Sequence, residues 1–338
     1  MASVSGPEHA EAIRRVYTRV LAKLLAVTRS LADAEDAVQD AVERALKSWA
    51  ETGAPDSAEA WLIAVAQNAH RDRKRHAHRV QDRRDALRVL AQLSPWGRIA
   101  VAEPEFLRGW KDELLRLLFA CCHPALEEGE SAALALATIV GLSNDEIAAA
   151  FVVAPRTMEQ RLTRARQRLR DKGDVEGTTP EHGRERVGAV LRTIHLLFNE
   201  GYWSSTEDAP PIRADLCRLA IGLARSLYET YPDLAEAAGL LALLLLHDAR
   251  REARLTADGK AVPLPDQDRT LWDHEVIGSA TVLLERALAL GEPGPFQVEA
   301  AIAATHCRAR TADHTAWDEI AALYAMCVFR PTWAAVPA

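Results

Sequence analysis

A chain of 338 residues that is 49% hydrophobic can bury a sizeable core, and it is long enough that on the order of two or three domains are expected. Its formal net charge of −7 excludes nucleic-acid binding through overall charge and confines any such role to local patches. Five cysteines without framework spacing exclude a disulfide scaffold.

The cysteine usage points to a reducing compartment. The opening MASVSGPEHAEAIRRVY has no apolar signal core, and the longest apolar run, Ala237 to Leu246, is half of the roughly 20 residues that a membrane helix needs. A cytoplasmic protein with no membrane partner is expected. Residues 1–172 hold 26 Lys+Arg against 24 Asp+Glu, a net of +2, which leaves −9 for the remainder.

Helical spacing dominates nearly every long segment and alternating β-branched runs are scarce, so the fold is predicted to be all-α. DAEDAVQDAVERALKSW, Asp33 to Trp49, places Ala34, Ala37, Val38, Ala41, Val42 and Ala45 on an apolar side and crowds Asp33, Glu35, Asp36 and Asp40 into its first turns. Acid at a helix N-terminus favours the dipole, so spacing alone reads as ordinary helix stabilisation. After a break at ETGAPDS, AWLIAVAQNAHRDRKRHAHR buries Trp61, Leu62, Val65 and Ala69 and turns Gln67, His70, Arg71, Lys74 and His78 outward. Asn68 and Asp72 fall on its apolar side and are expected to be hydrogen-bonded inside the domain. The basic end fits a solvated tail and a nucleic-acid surface equally well.

A Pro- and Gly-containing linker around LSPWGRIAVAEPE leads to a second block, Lys111 to Lys172. Ser143 with Glu146 three residues on is a capping-box signature for a short helix carrying Ile147, Ala148 and Phe151 inward. Pro155 suits the first turn of a second helix, so the pair reads as a helix-turn-helix. At 100° per residue, Met158, Leu162, Ala165 and Leu169 form a narrow packing stripe. Arg156, Gln160, Thr163 and Gln167 cluster opposite it, with Arg161, Arg164 and Arg168 on one edge and Arg166 and Arg170 on the other. Polar side chains between rims of cations match a helix lying in a major groove, where base edges face the centre and phosphates line the sides. A solvated amphipathic helix is the plainer reading; the nearly one-signed charge and the preceding capped helix weigh against it.

Beyond DVEGTTPEHG a third block is cut by YWSSTEDAPP, TADGKAVPLPDQD and GEPGP into helices of hairpin length, suggesting an α-hairpin array without a clean period. Cys121, Cys122 and His123 are adjacent on an apolar segment and read as buried packing rather than a metal site. His274 and Glu275 lack the second histidine of a zinc-protease helix, because Gly278 stands there. His247 and Asp248 read as a hydrogen-bonded pair at the core edge. No nucleotide-binding loop or hydrolase elbow appears, so no enzyme, cofactor or metal is expected.

Taken in order, these segments resemble the extracytoplasmic-function (ECF, group IV) members of the sigma-70 type RNA polymerase sigma factors. DAEDAVQDAVERALKSW is similar to the acidic helix that docks on the clamp helices of core polymerase, AWLIAVAQNAHRDRKR to the −10 recognition and melting helix, and EIAAAFVVAPRTMEQRLTRARQRLR to the −35 helix-turn-helix. FNEGY, PDLAEAAGLLALLLLHDARREAR and QDRTLW, with LLFACCHPAL upstream, resemble the subgroup with a C-terminal tetratricopeptide-like (TPR-like) helical extension.

The resemblance implies two small helical sigma domains, the second with the helix-turn-helix, followed by an α-hairpin domain. Region 2 would occupy 1–88, a linker 89–110, region 4 residues 111–172, a second linker 173–183 and the extension 184–338. It implies an alternative sigma factor whose partners are core polymerase, at its clamp helices and flap, and double- and single-stranded promoter DNA. A protein or small-molecule regulator would act on the extension. Core contacts fall on Asp33, Asp36, Gln39 and Asp40. The −10 and melting contacts fall on Gln67, His70, Arg71, Arg73, Lys74 and Arg75, together with the loop from Glu51 to Ser57. The −35 contacts fall on Arg156, Thr157, Gln160, Arg161, Thr163, Arg164 and Arg168.

Three departures stand out. Val152 occupies the turn position where the family often has Gly, Ala154 replaces a common Ser cap, and VFRPTWAAVPA does not read as a further repeat. The alternative function is a helix-turn-helix regulator or interaction scaffold independent of polymerase, which leaves the acidic and melting helices without a role.

Overall fold

The computed structural model describes residues 6–85, 113–172, 183–205, 210–291 and 293–328. The expected linkers at 89–110 and 173–183 and the final VFRPTWAAVPA lie largely or wholly outside these residues. Thirteen α-helices are found among the described residues, with short 3₁₀ turns, one π-helical turn and a single isolated β-bridge between Leu255 and Ala261. The architecture is therefore all-α.

The chain divides into two compact units. One comprises residues 1–142 and 159–186, the other residues 143–158 and 187–338.

In the first unit α1 (Gly6–Thr28), α2 (Leu31–Thr52) and α3 (Ala58–Asp85) pack on one another. The alanine stripe of α2, from Ala34 through Ala45, is fully buried, and its small side chains give the two neighbouring helices close access. Trp49 ends that stripe at 1% exposure, edge-on to Trp61 at 5.4 Å and to His9 at 6.0 Å. Gly53 then takes φ 78 and returns its N–H to Trp49 O at 2.9 Å, which ends α2 at the break the sequence marks. Short α4 (Glu113–Cys121) packs on α1, and α5 (Glu128–Ala135) runs into a π-helical turn, Leu136–Val140, whose carbonyl at Ile139 accepts Thr18 Oγ1 at 3.2 Å. Cys121 and Cys122 are buried here, and burial pushes the Cys121 thiol up.

The second unit carries α8 (Val187–Tyr202), α9 (Ala214–Thr230), α10 (Ala235–Asp248), α11 (His274–Ala289), α12 (Pro295–Arg308) and α13 (Trp317–Val328). Each packs on its successor, and α10 additionally packs on both α8 and α12. AEAAGLLALLLLHD explains that central place: apolar residues lie around the whole circumference of α10, so it is buried on every side. Gly239 permits the close crossing, since a Cβ there would stand 2.6 Å from Gln297 Cγ and 2.9 Å from its backbone nitrogen. Glu236 fixes the register by accepting the N–H groups of Phe296 and Gln297, each at 3.2 Å, at the start of α12.

Candidate nucleic-acid interface

The helix-turn-helix forms as the spacing predicts. Ser143 caps α6 (Asn144–Ala150): its Oγ accepts Glu146 N–H at 3.2 Å while Glu146 Oε2 accepts Ser143 N–H at 2.7 Å. Ile147 and Ala148 are buried and Phe151 is half-buried. Glu146 also pairs with Arg213, which precedes α9, at 3.4 Å.

Val152 enters the left-handed region at φ 52, closing the turn with its N–H on Ala149 O and with Val153 N–H on Ala148 O, both at 3.0 Å. Its side chain is 92% exposed, so packing does not hold the strained backbone in place. Helix α7 (Pro155–Lys172) follows at once, and Ala154 accepts Thr157 N–H at 2.9 Å through its carbonyl while offering no side-chain cap.

On α7 the four stripe residues Met158, Leu162, Ala165 and Leu169 are buried. Arg156, Gln160, Thr163, Arg164 and Gln167 are exposed, and Thr157 and Arg161 are half-buried at the margins. Thr163 Oγ1 donates to Glu159 O at 2.8 Å, Arg164 Nε to Gln160 O at 3.3 Å and Gln167 to Asp171 at 2.8 Å. These are helix-local bonds that a duplex can replace without unfolding anything.

The rim cations Arg166, Arg168 and Arg170 are differently placed. Arg166 pairs with Glu35 at 3.4 Å and Arg170 with Asp36 at 3.1 Å, both acids being on α2; Arg168 pairs with Glu130. On the same acidic helix Asp40 holds Arg73 of α3 at 3.3 Å. Burial pushes the Glu35 carboxyl up and the adjacent Arg166 pulls it back. Two of the expected polymerase-docking acids and two of the expected DNA-contacting arginines are thus engaged within the chain. Pairs as exposed as Arg170 with Asp36 are worth about 0.2–1 kcal/mol each, weak enough for a partner to exchange. Asp33 and Gln39 remain exposed; Ser30 Oγ accepts Asp33 N–H at 3.2 Å as the N-cap of α2.

On α3 the sequence-derived face needs correction. The buried line runs through Leu62, Ala66, Ala69 and His70, so His70 faces inward rather than outward. Asn68, expected inside, is exposed and accepts Arg71 Nη1 at 3.3 Å. Trp61 and Val65 are only half-buried, which is the same rotation seen from the other edge. Gln67 is half-buried and Arg71 and Arg73 are exposed. The side chains of Asp72, Lys74 and Arg75 lie outside the described residues.

Comparison with known families falls on these same elements. Residues 12–80 match Sigma-70 region 2, residues 116–169 match Sigma-70, region 4, and residues 186–288 match a family of unknown function, DUF6596. "Uncharacterized protein R00370" of Rhizobium meliloti (strain 1021) is 42% identical over 310 residues, which cover 90% of this chain and 72% of that protein. The ECF RNA polymerase sigma factor SigE of Mycolicibacterium smegmatis is 28% identical over 165 residues, 49% of this chain and 61% of that one.

The chain carries Sigma-70 region 2 and Sigma-70, region 4 in that order, which together with the similarity to an ECF RNA polymerase sigma factor supports its assignment as an ECF-type sigma factor. As a sigma factor it functions in transcription initiation, and its contacts with polymerase and DNA are of the kind those two regions make. No solved structure matches the chain. Among the described residues of this sigma factor no cluster of His, Cys, Asp or Glu could hold a metal ion, and no helix is long and apolar enough to cross a membrane. The in-chain pairing of α7 with α2 was not legible in advance, because 131 residues separate Arg166 from Glu35 and only i,i+3 or i,i+4 charge spacing can be read locally.

Proposed function

We propose that this sigma factor docks on the clamp helices of core polymerase through Asp33, Asp36, Gln39 and Asp40 of α2, with region 4 on the flap. The loop from Glu51 to Ser57 and α3, through Gln67, Arg71 and Arg73 with Lys74 and Arg75 beyond them, engages and opens the −10 element. Partly single-stranded bases are held by stacking and pockets while cations hold the backbone. His70 supports that helix from inside rather than touching DNA.

Helix α7 reads the −35 element in the major groove, with Arg156, Gln160, Thr163 and Arg164 at base edges or groove and Thr157 and Arg161 at the margins. Arg168 reaches phosphate only after leaving Glu130. The boundaries follow as 1–88 for region 2, 111–172 for region 4 and 184–338 for a TPR-like, group IV extension that regulates the factor through a protein or small-molecule ligand. The packing of each C-terminal helix on its successor, with α10 also on α8 and α12, supports a hairpin array.

The observation that carries the reading is α7 itself: a continuous polar and cationic face turned to solvent over four buried apolar residues, entered through a capped helix and a tight turn. A competition pull-down tests it. The purified chain must bind sigma-free core polymerase and be displaced by an excess of the housekeeping sigma. Binding to DNA without any binding to core would instead identify a regulator independent of polymerase.

A further inference from the structure

Three arginines of the C-terminal unit meet at one place without a carboxylate partner among the described residues. Arg250 follows the end of α10, is 5% exposed, and donates through Nη2 to His247 Nδ1 at 2.7 Å, while its Nε has no hydrogen-bond partner. Arg269 lies over the Trp272 ring at 4.4 Å and Arg250 over the same ring at 5.9 Å. Arg254, 9% exposed, stacks on Tyr202 at 3.3 Å, and Tyr202 meets His247 edge-on at 5.2 Å. The chain of contacts from Arg254 through Tyr202, His247 and Arg250 to Trp272 and Arg269 is therefore unbroken. The neighbouring acids are used elsewhere, Asp248 at 2.8 Å and Glu252 at 3.6 Å both facing Arg251.

Structure accounts for part of this charge. Arg254 donates to Tyr202 O at the end of α8, Arg269 to His306 O at 2.7 Å and Ala309 O at 2.8 Å at the end of α12, and Arg250 stands at the end of α10. Each helix C-terminus carries about half a negative charge, so three of them offset about half of three guanidinium charges and leave roughly +1.5. Burying that remainder is costly unless something anionic meets it. Burial, with Arg250 adding to it, holds Arg254 and Arg269 below the usual arginine range, and burial holds His195 down to about 4. The place is not sealed: His195, Tyr202, His247, Arg269 and His306 are half-buried around the buried arginines, and Trp203, 47% exposed, lies 6.0 Å from Arg254.

We propose that Arg250, Arg254 and Arg269, rimmed by His195, His247 and His306, form a binding site for a small doubly charged oxyanion, a phosphate monoester or a dicarboxylate. Arg250 is its centre, because its Nε is a buried donor left without an acceptor, as is Nε1 of the Trp272 ring it faces. Guanidinium forks fit either oxyanion through paired N–H donors. The site lies wholly within the C-terminal unit and stands whether or not the promoter contacts are as drawn.

Calorimetric titration of the full chain with inorganic phosphate, and separately with succinate, tests it. Saturable single-site heat with at least one of them is expected, and the one that binds assigns the class. Arg250→Gln should weaken that binding at least about tenfold, whereas Arg225→Gln, at an exposed arginine of α9, should not. That contrast separates this site from anions held by the arginines of α7. Should Arg250→Gln fail to fold, the wild type decides: ring resonances of His195, His247 and His306 must shift with the midpoint seen by calorimetry. Absence of saturable heat from both anions, binding that survives Arg250→Gln, or histidine resonances that stay still would overturn the proposal.

Discussion

Replacing Val152 by Gly should stabilise the helix-turn-helix, although it deletes an apolar side chain. A left-handed backbone costs an L-residue about 1–2 kcal/mol, and a β-branched side chain is at the upper end of that range. Glycine removes this cost but loses about 0.5–1 kcal/mol more entropy on folding. At 92% exposure the valine contributes almost no burial to lose. The difference is a net gain of about 0.5–1.5 kcal/mol, which slows amide exchange at Val153, bonded to Ala148 O, by about twofold to tenfold. Native-state hydrogen exchange measures this residue by residue. Val152→Ala, which keeps a Cβ at φ 52, should recover only a small part of it. Equal protection in Val152→Gly and the parent, or faster exchange in the glycine variant, would show that this turn stores no backbone strain.

Gln160→Ala should relax base preference at one −35 position at a cost of about 1–3 kcal/mol, while Arg161→Ala, a cation at the margin of the face, should weaken all sequences evenly and lower the salt slope by about one; binding to a randomised −35 library at several salt concentrations separates them. Glu35→Gln removes the acid that holds Arg166 and should free that cation for phosphate, steepening the salt dependence of duplex binding rather than flattening it. Glu299 is pushed up to about 6, by burial first and then by Glu236, from an ordinary 4.5. A carboxyl raised in the folded state contributes its stability below its unfolded value and loses it as pH rises through about 6, so the charged form costs about 1–2 kcal/mol at neutral pH. Glu299→Gln should accordingly raise the melting temperature at pH 7.5 and leave it nearly unchanged near pH 4.5; the reverse order would contradict the burial of this carboxyl.

Much of the site could be read from local spacing, and what could not has a common cause. The Met158 to Leu169 stripe, the Ser143 and Glu146 box and the alanine face of α2 depend on neighbours three or four residues away, which a helical wheel represents faithfully. Val152 was marked only through the family resemblance, in which that position often holds Gly; spacing alone did not single it out for positive φ. The face of α3 was misplaced because its apolar residues are diluted by charge, so the wheel's centre was poorly defined and His70 was set on the wrong side. The ion pairs from α7 to α2 and the arginines around Trp272 join residues far apart in sequence. No local period encodes them.

The most direct measurement is run-off transcription with sigma-free core polymerase, this chain and a library of genomic promoter fragments. A sigma factor built this way must yield transcripts that begin at a fixed distance from one shared pair of −35 and −10 elements, and that weaken when Gln160 or Arg156 is replaced. Transcript levels no higher than with core alone, across the whole library and at low salt, would contradict it.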